Sequence, residues 1–163
     1  MKLNKRVTIG QVMALDPCEG YTLERVTELF AGRKTMALTA ILGLDIPVED
    51  RIWVVTKFLP EQVNRRFACW CALEVVHLWD CPAIVMRYLE TQDESIRDAA
   101  EDAAEDAAWD AGDAAGAAAW AAARYARVAA RASDRYAASA AAWAAARTAS
   151  EEKQIAELKE MIR

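Results

Sequence analysis

The sequence predicts an all-α protein: an N-terminal cluster of short helices, then a long alanine-rich helical hairpin, then a short C-terminal helix. Three observations support this. Nearly half of residues 93–149 are alanine and none is proline, and alanine is the best intrinsic helix former because ordering it costs no rotamer freedom. Apolar residues before this stretch recur at helical spacing between capping residues, prolines and glycines. No alternating, strand-like pattern of useful length appears in the chain.

The first ninety residues are predicted to form six short helices. Thr8 and Thr22 are suitable N-caps for the first two, and Thr35 for the third. Pro47 and Pro60 suit the first turns of the next two. The second half of the fifth helix, residues 67–79, is apolar almost all round, which predicts a central buried helix. The predicted helices are residues 9–15, 23–31, 36–42, 48–59, 61–79 and 83–89.

The alanine-rich stretch carries acidic residues in its first half and arginines in its second. Thr91 and Glu94 have capping-box spacing and can begin its helix. Folding back near residues 112–116, where two glycines lie, would bring the acidic and basic faces together and relieve the repulsion within each. The alternative is one unbroken rod about 80 Å long. We favour the hairpin. Residues 151–163 then form an amphipathic helix with one apolar stripe: Ile155, Leu158 and Ile162.

Length and charge limit the classes of protein that fit. The 163 residues suit a helical head over residues 1–92 followed by the hairpin and last helix over residues 93–163, or one continuous domain. A formal charge of −5 argues against a general binder of DNA or of anionic membranes. Neither a signal peptide nor a transmembrane span is apparent, and the four cysteines suit reduced thiols. We therefore expect a cytoplasmic protein.

One group of residues supplies ligand types for zinc: Cys69, Cys71, His77 and Cys81. On a helix, however, Cys69 and Cys71 point about 200° apart, so both cannot face one ion. Buried structural cysteines are the simpler interpretation. His77 has no nucleophile placed beside it. We expect no metal, no cofactor and no enzymatic activity.

The acidic half offers one candidate binding surface. Asp102, Asp106 and Asp110 lie at four-residue steps and share a helix face. This face is either simply solvated or paired with the arginines across the hairpin or a dimer. A third interpretation is that about nine carboxylates along about 30 Å of helix imitate a nucleic-acid backbone and block a defence effector.

The basic half offers another candidate site. Arginine forks bind phosphates and aromatic faces stack bases, so this group could hold a nucleotide second messenger. The alternative is that the arginines only keep an alanine helix soluble. The residues of this group are Arg124, Arg127, Arg131, Arg135, Trp120, Tyr125 and Tyr136.

Several segments together resemble a family of small bacterial and phage proteins described as immunity proteins of the Imm-5-like kind. They are FLPEQVNRRFACWCALEVVHLWD, LDIPVEDRIWVV, LDPCEGYTLERVTELFAG, the alanine/tryptophan tract and the closing EEKQIAELKEMIR. The most specific parts are residues 66–71 and the Trp/Ala repeat. The resemblance implies an α-helical, non-enzymatic protein that binds and neutralises an effector, and it carries over no catalytic residues.

Three function classes follow. The leading one is an inhibitor that occludes a toxin or immune effector, as a bacterial antidote or a phage anti-defence protein. The second is a sponge that sequesters a nucleotide immune signal in the arginine/aromatic group. The third is a structural homo-oligomer in which alanine faces join helices across subunits. The expected partner is a protein effector or a small nucleotide, with no direct binding to nucleic acid or membrane.

Overall fold

A computed structural model describes residues 5–74, 76–78, 80–114 and 151–162. Within these residues the chain is mostly helical, as predicted, with eight α-helices and one small sheet. The strands are β1 (Arg6–Thr8) and β2 (Thr35–Ala37). The helices are α1 (Ile9–Met13), α2 (Leu23–Phe30), α3 (Leu38–Ile41), α4 (Val48–Thr56), α5 (Glu61–Glu74), α6 (Ala83–Thr91), α7 (Arg97–Ala114) and α8 (Glu151–Ile162). Short 3-10 helices cover Val76–Leu78 and Glu94–Ile96.

The sheet corrects the expectation of a purely helical chain. β1 and β2 pair antiparallel, with Val7 opposite Met36. Both of these side chains are buried in the core, and the Arg6 guanidinium donates to the Thr35 hydroxyl at 2.9 Å. The helix predicted from residue 36 is therefore wrong over its first two residues, and α3 begins at Leu38. Three-residue strands are too short to show an alternating pattern, so burial in the tertiary structure selects them.

The first two helices begin at the predicted caps. The Thr8 hydroxyl accepts from the Gln11 backbone N–H at 3.2 Å, and the Gln11 side chain accepts from the Thr8 N–H at 2.9 Å, which completes a capping box. The Thr22 hydroxyl accepts from the Arg25 N–H at 3.3 Å. Two other predicted caps are wrong. Thr35 lies in β2, and the N-cap of α3 is Ala37, which makes no side-chain cap hydrogen bond. Thr91 is the last residue of α6, and Asp93 caps the following 3-10 helix through the Ser95 N–H at 2.9 Å.

Helix α5 lies between two apolar clusters. Phe67 and Cys71 belong to the first cluster, which also contains side chains of the sheet and of α1–α4 and α8. Ala68, Cys69 and Ala72 belong to the second, with side chains of α6 and α7. The predicted burial is thus confirmed for this part of α5. The helix ends at Glu74 rather than residue 79, and a 3-10 helix covers Val76–Leu78 before α6 begins after Pro82.

The last helix packs back onto the head. Helix α8 contacts α5 and α4, and its predicted apolar stripe is confirmed: Ile155, Leu158 and Ile162 are at most 7% exposed and join the first cluster. Helices from both sides of residue 92 therefore share both clusters. The division at this residue remains a prediction.

Helix α7 packs against α6 through alanines. Ala100 and Ala104 are fully buried in the second cluster, while Ala99 is exposed. An alanine surface lets two helix backbones approach closely, which leaves no room for a larger side chain at the contact.

We expect Ala104→Leu to lower the free energy of unfolding by about 1–3 kcal/mol, because the added atoms overpack this contact. Ala99→Leu on the exposed face of the same helix should change it by less than about 0.5 kcal/mol. Urea unfolding followed by circular dichroism measures both. Equal effects of the two substitutions would contradict the alanine-mediated packing of α7.

Candidate functional site

A cleft of about 380 Å³ opens between α1, α2 and α4. Its walls are mainly aliphatic and aromatic, which is typical of sites that bind ligands or anchor side chains. The lining residues are Val12, Asp16, Pro17, Cys18, Tyr21, Val26, Leu29, Phe30, Ile41, Leu44, Ile46, Asp50, Trp53 and Val54.

Local sequence signals explain why a cleft forms here. Helix α1 is short, and after it the chain turns at Asp16, whose φ of 54° lies in the left-handed region that aspartate tolerates better than most residues. The loop continues through Pro17 and Gly20 to the Thr22 cap of α2. Helix α2 then presents an apolar stripe toward the space that the loop encloses. The loop therefore forms one wall of the cleft, and α2 and α4 form the others.

A hydrogen-bonded pair supplies polar groups within these walls. The Tyr21 hydroxyl donates to Asp50 Oδ2 at 2.6 Å, between the loop and the first turn of α4. Burial, followed by this hydrogen bond, raises the pKa of Tyr21 well above its usual value. The hydroxyl therefore stays protonated and holds Asp50 as an acceptor. Asp16 is a second, exposed carboxylate of the lining.

The chain's four thiols lie in different environments. Cys18 is exposed at the cleft. Cys69 and Cys71 are buried, and burial raises the pKa of Cys69 to about 12 and that of Cys71 further. Cys81 is half-buried, and desolvation raises its pKa to about 11.

A second groove of about 580 Å³ runs between α4, α5 and α8. Its charges are mixed, with Arg51, Lys153 and Lys159 beside two glutamates. Lys153 forms an ion pair with Glu74 and lies 5.9 Å from the centre of the Trp70 ring. Such a groove selects neither anions nor cations, so the apolar cleft is the better candidate site.

The sequence-predicted site residues lie elsewhere. Asp102 and Asp106 are exposed on α7, and Asp110 belongs to the same helix, although its side chain lies outside the described part. The arginine/aromatic group also lies entirely outside the described residues, as does part of the predicted turn near residues 112–116. The pairing of acidic and basic faces, the choice between hairpin and rod, and the nucleotide pocket remain predictions.

The zinc ligand types do not converge on one site. Cys69 packs in the second cluster and Cys71 in the first, and His77 is exposed in a 3-10 helix. Nowhere in residues 5–74, 76–78, 80–114 and 151–162 do three or more His, Cys, Asp or Glu side chains group so that they could hold a metal ion.

No protein-family model, curated protein or solved structure matches the chain. The resemblance to immunity proteins stays a prediction. Among the described helices, none combines the length and the apolar character needed to cross a membrane.

Sequence reasoning missed the residues of the cleft. Tyr21 and Asp50 are 29 positions apart, and nothing in the sequence near either one indicates the other. The one available signal was the loop over residues 14–22, which contains Asp, Pro and Gly between two capped helices. Loops held by rigid elements often carry binding residues.

We expect Cys18 to be the first thiol modified by a maleimide at neutral pH, because it is exposed while Cys69 and Cys71 are buried and their pKa values are raised. Mass spectrometry of the folded protein should show one fast adduct, which Cys18→Ser abolishes. Fast modification of Cys69 or Cys71 would contradict the described packing.

We also expect the protein to lose stability in alkali. The pKa values of Cys69 and Cys71 are raised in the folded state, so the unfolded chain releases these protons first, from about pH 8.5 upward. The stability they contribute is complete below that pH. Above it the free energy of unfolding falls, by at most about 1.4 kcal/mol per pH unit for each thiol.

Urea unfolding between pH 7 and pH 10 measures this slope. Cys71→Ala should flatten it, whereas Cys18→Ser, which changes an exposed thiol, should leave it unchanged. A free energy of unfolding that stays constant over this range would show that the buried thiols do not contribute as described.

Proposed function

We propose that this chain is a non-enzymatic binding protein that neutralises an effector protein, and that it holds the effector by an anchor side chain inserted into the cleft between α1, α2 and α4. The observation that carries the proposal is the cleft itself: an apolar, surface-open space of about 380 Å³. Burying one large apolar side chain there would contribute about 1.5–3 kcal/mol. Hot spots of protein interfaces have this character.

The construction of the cleft supports this use. Five of its lining residues are also buried members of the first cluster: Val12, Val26, Phe30, Ile41 and Val54. The walls are therefore held by the same packing that holds the fold. An anchor that enters a preformed cleft orders few protein side chains, so little binding free energy is lost to conformational entropy.

The negative charge of this protein favours a positively charged partner. The exposed face of α7 carries Asp98, Asp102 and Asp106 at four-residue steps, opposite the buried alanines. Together with the net charge of −5, this face would attract a positively charged effector over about one Debye length, close to 10 Å at ordinary salt. Such charges raise association rates more than they raise final affinity. The resemblance to immunity proteins is consistent with the same function.

Leu29→Glu should weaken effector binding by about 30-fold or more, because it places a charge in the wall where the anchor would sit. Leu29 is half-buried and lines the cleft. Leu23→Glu is the matched control: Leu23 lies on the same helix, is 55% exposed and does not line the cleft. Circular dichroism and thermal melting establish that both variants remain folded.

The measurement is affinity capture from a host lysate, followed by reconstitution with the purified captured protein. Wild type and Leu23→Glu should retain the same stoichiometric partner, and wild type should abolish that partner's activity at a 1:1 ratio. The proposal fails if Leu29→Glu retains the partner fully, or if the partner keeps its activity in the complex.

A further inference from the structure

The charged residues that line the cleft are all acidic. Two of its lining residues, Asp16 and Asp50, are carboxylates, and none is lysine, arginine or histidine. An apolar side chain that covered the cleft would remove part of the water around these carboxylates, and unpaired burial of a charge is unfavourable. A partner that brings its own cation would avoid this loss.

Asp50 is positioned to receive such a cation. It is half-buried at the start of α4, and the hydrogen bond from Tyr21 uses one acceptor position of Oδ2, so both carboxylate oxygens can still accept. The pKa of Tyr21 is raised by burial and by this bond, so the phenol remains neutral and adds no charge of its own to the cleft. The hydroxyl instead fixes the carboxylate's orientation.

The nearest positive charge on α2 is already engaged. Arg25 lowers the pKa of Tyr21 as a nearby cation, but its guanidinium pairs with Glu28 at 3.2 Å on the exposed side of the helix, and Arg25 does not line the cleft. Lys57 lies 5.7 Å from the centre of the Trp53 ring and likewise does not line the cleft. The cleft therefore combines apolar walls with net negative charge.

We propose that the effector segment bound in this cleft carries a large apolar side chain directly beside a lysine or arginine, whose charge is held by Asp50 and Asp16. This inference rests on the proposed function and names the chemistry of the partner at the same site. The apolar side chain packs among Leu29, Phe30 and Trp53. Arginine is preferred to lysine, because its planar fork can donate two hydrogen bonds to one carboxylate.

A displayed library of random seven-residue peptides tests this chemistry on the full-length chain. Peptides selected on wild type should place an aromatic or large aliphatic residue next to Arg or Lys. Selection on Asp50→Asn should lose the basic preference while keeping the apolar one. Asp45→Asn is the matched control, because Asp45 is exposed before α4 and does not line the cleft. It should select the same peptides as wild type.

A synthetic peptide from the wild-type selection allows a double-mutant cycle. Changing its basic residue to glutamine should weaken binding about tenfold to wild type and little to Asp50→Asn, which is the signature of a direct pair. Tyr21→Phe removes the hydroxyl but keeps the carboxylate, so the basic preference should survive in that variant. Selected peptides without a basic preference, or equal losses on wild type and Asp50→Asn, would overturn the inference.

The same selections distinguish failure of the cationic-partner proposal from failure of the cleft as a binding site. If Leu29→Glu abolishes selection but Asp50→Asn leaves the peptide composition unchanged, the cleft is an anchor site and only the cationic partner is wrong. If Leu29→Glu selects the same peptides as wild type, or no peptide is selected on wild type, the cleft does not bind such segments and the inference also fails. The effector-capture and effector-activity measurements test the proposed function itself.

Discussion

The burial of α5 from both sides is the constraint on which the other helices depend. Phe67 and Cys71 face one apolar cluster, and Ala68, Cys69 and Ala72 face the other. A helix of 3.6 residues per turn can serve two clusters only if nearly its whole circumference is apolar or small. Helix α8 packs on the first side, where α4 contacts α8 and contributes side chains to the same cluster. Helix α6 packs on the second side, and α7 packs on α6.

Polar side chains of α5 fix how the neighbouring helices are oriented against it. Asn64 is buried and donates to the Thr56 carbonyl at 2.9 Å, which joins the start of α5 to the end of α4. Arg65 pairs with Glu61 on its own helix at 2.5 Å and with Glu94 in the 3-10 helix before α7. The Asn64 hydrogen bond is buried and therefore costly to break, whereas the glutamates paired with Arg65 are at least half exposed, so those pairs contribute less to stability. They therefore orient α4 and α7, the helices that carry the proposed recognition groups.

The two clusters support different parts of the proposed function. The first is built from large side chains, and its outer members form the walls of the cleft. The second includes five small residues packed around Val85, Tyr88 and Leu89. It holds α7 because small side chains let the helices approach closely, rather than by burying a large apolar area. The outward face of α7 is then free to carry carboxylates. The proposed recognition by an apolar anchor and the proposed attraction by charge would thus both arise from one packing scheme.

The sequence by itself determined the features whose causes lie within one or two helical turns. These are the helical class, the caps at Thr8 and Thr22, the buried face of α5 and the apolar stripe of α8. Capping and periodicity act between residues three or four positions apart, so a local pattern contains them.

Tertiary structure decided the pairing of Val7 with Met36, the start of α3 at Leu38 and the meeting of Tyr21 with Asp50. These depend on side chains about thirty positions apart, and no local pattern encodes such contacts, because capping and helical periodicity relate only residues three or four positions apart.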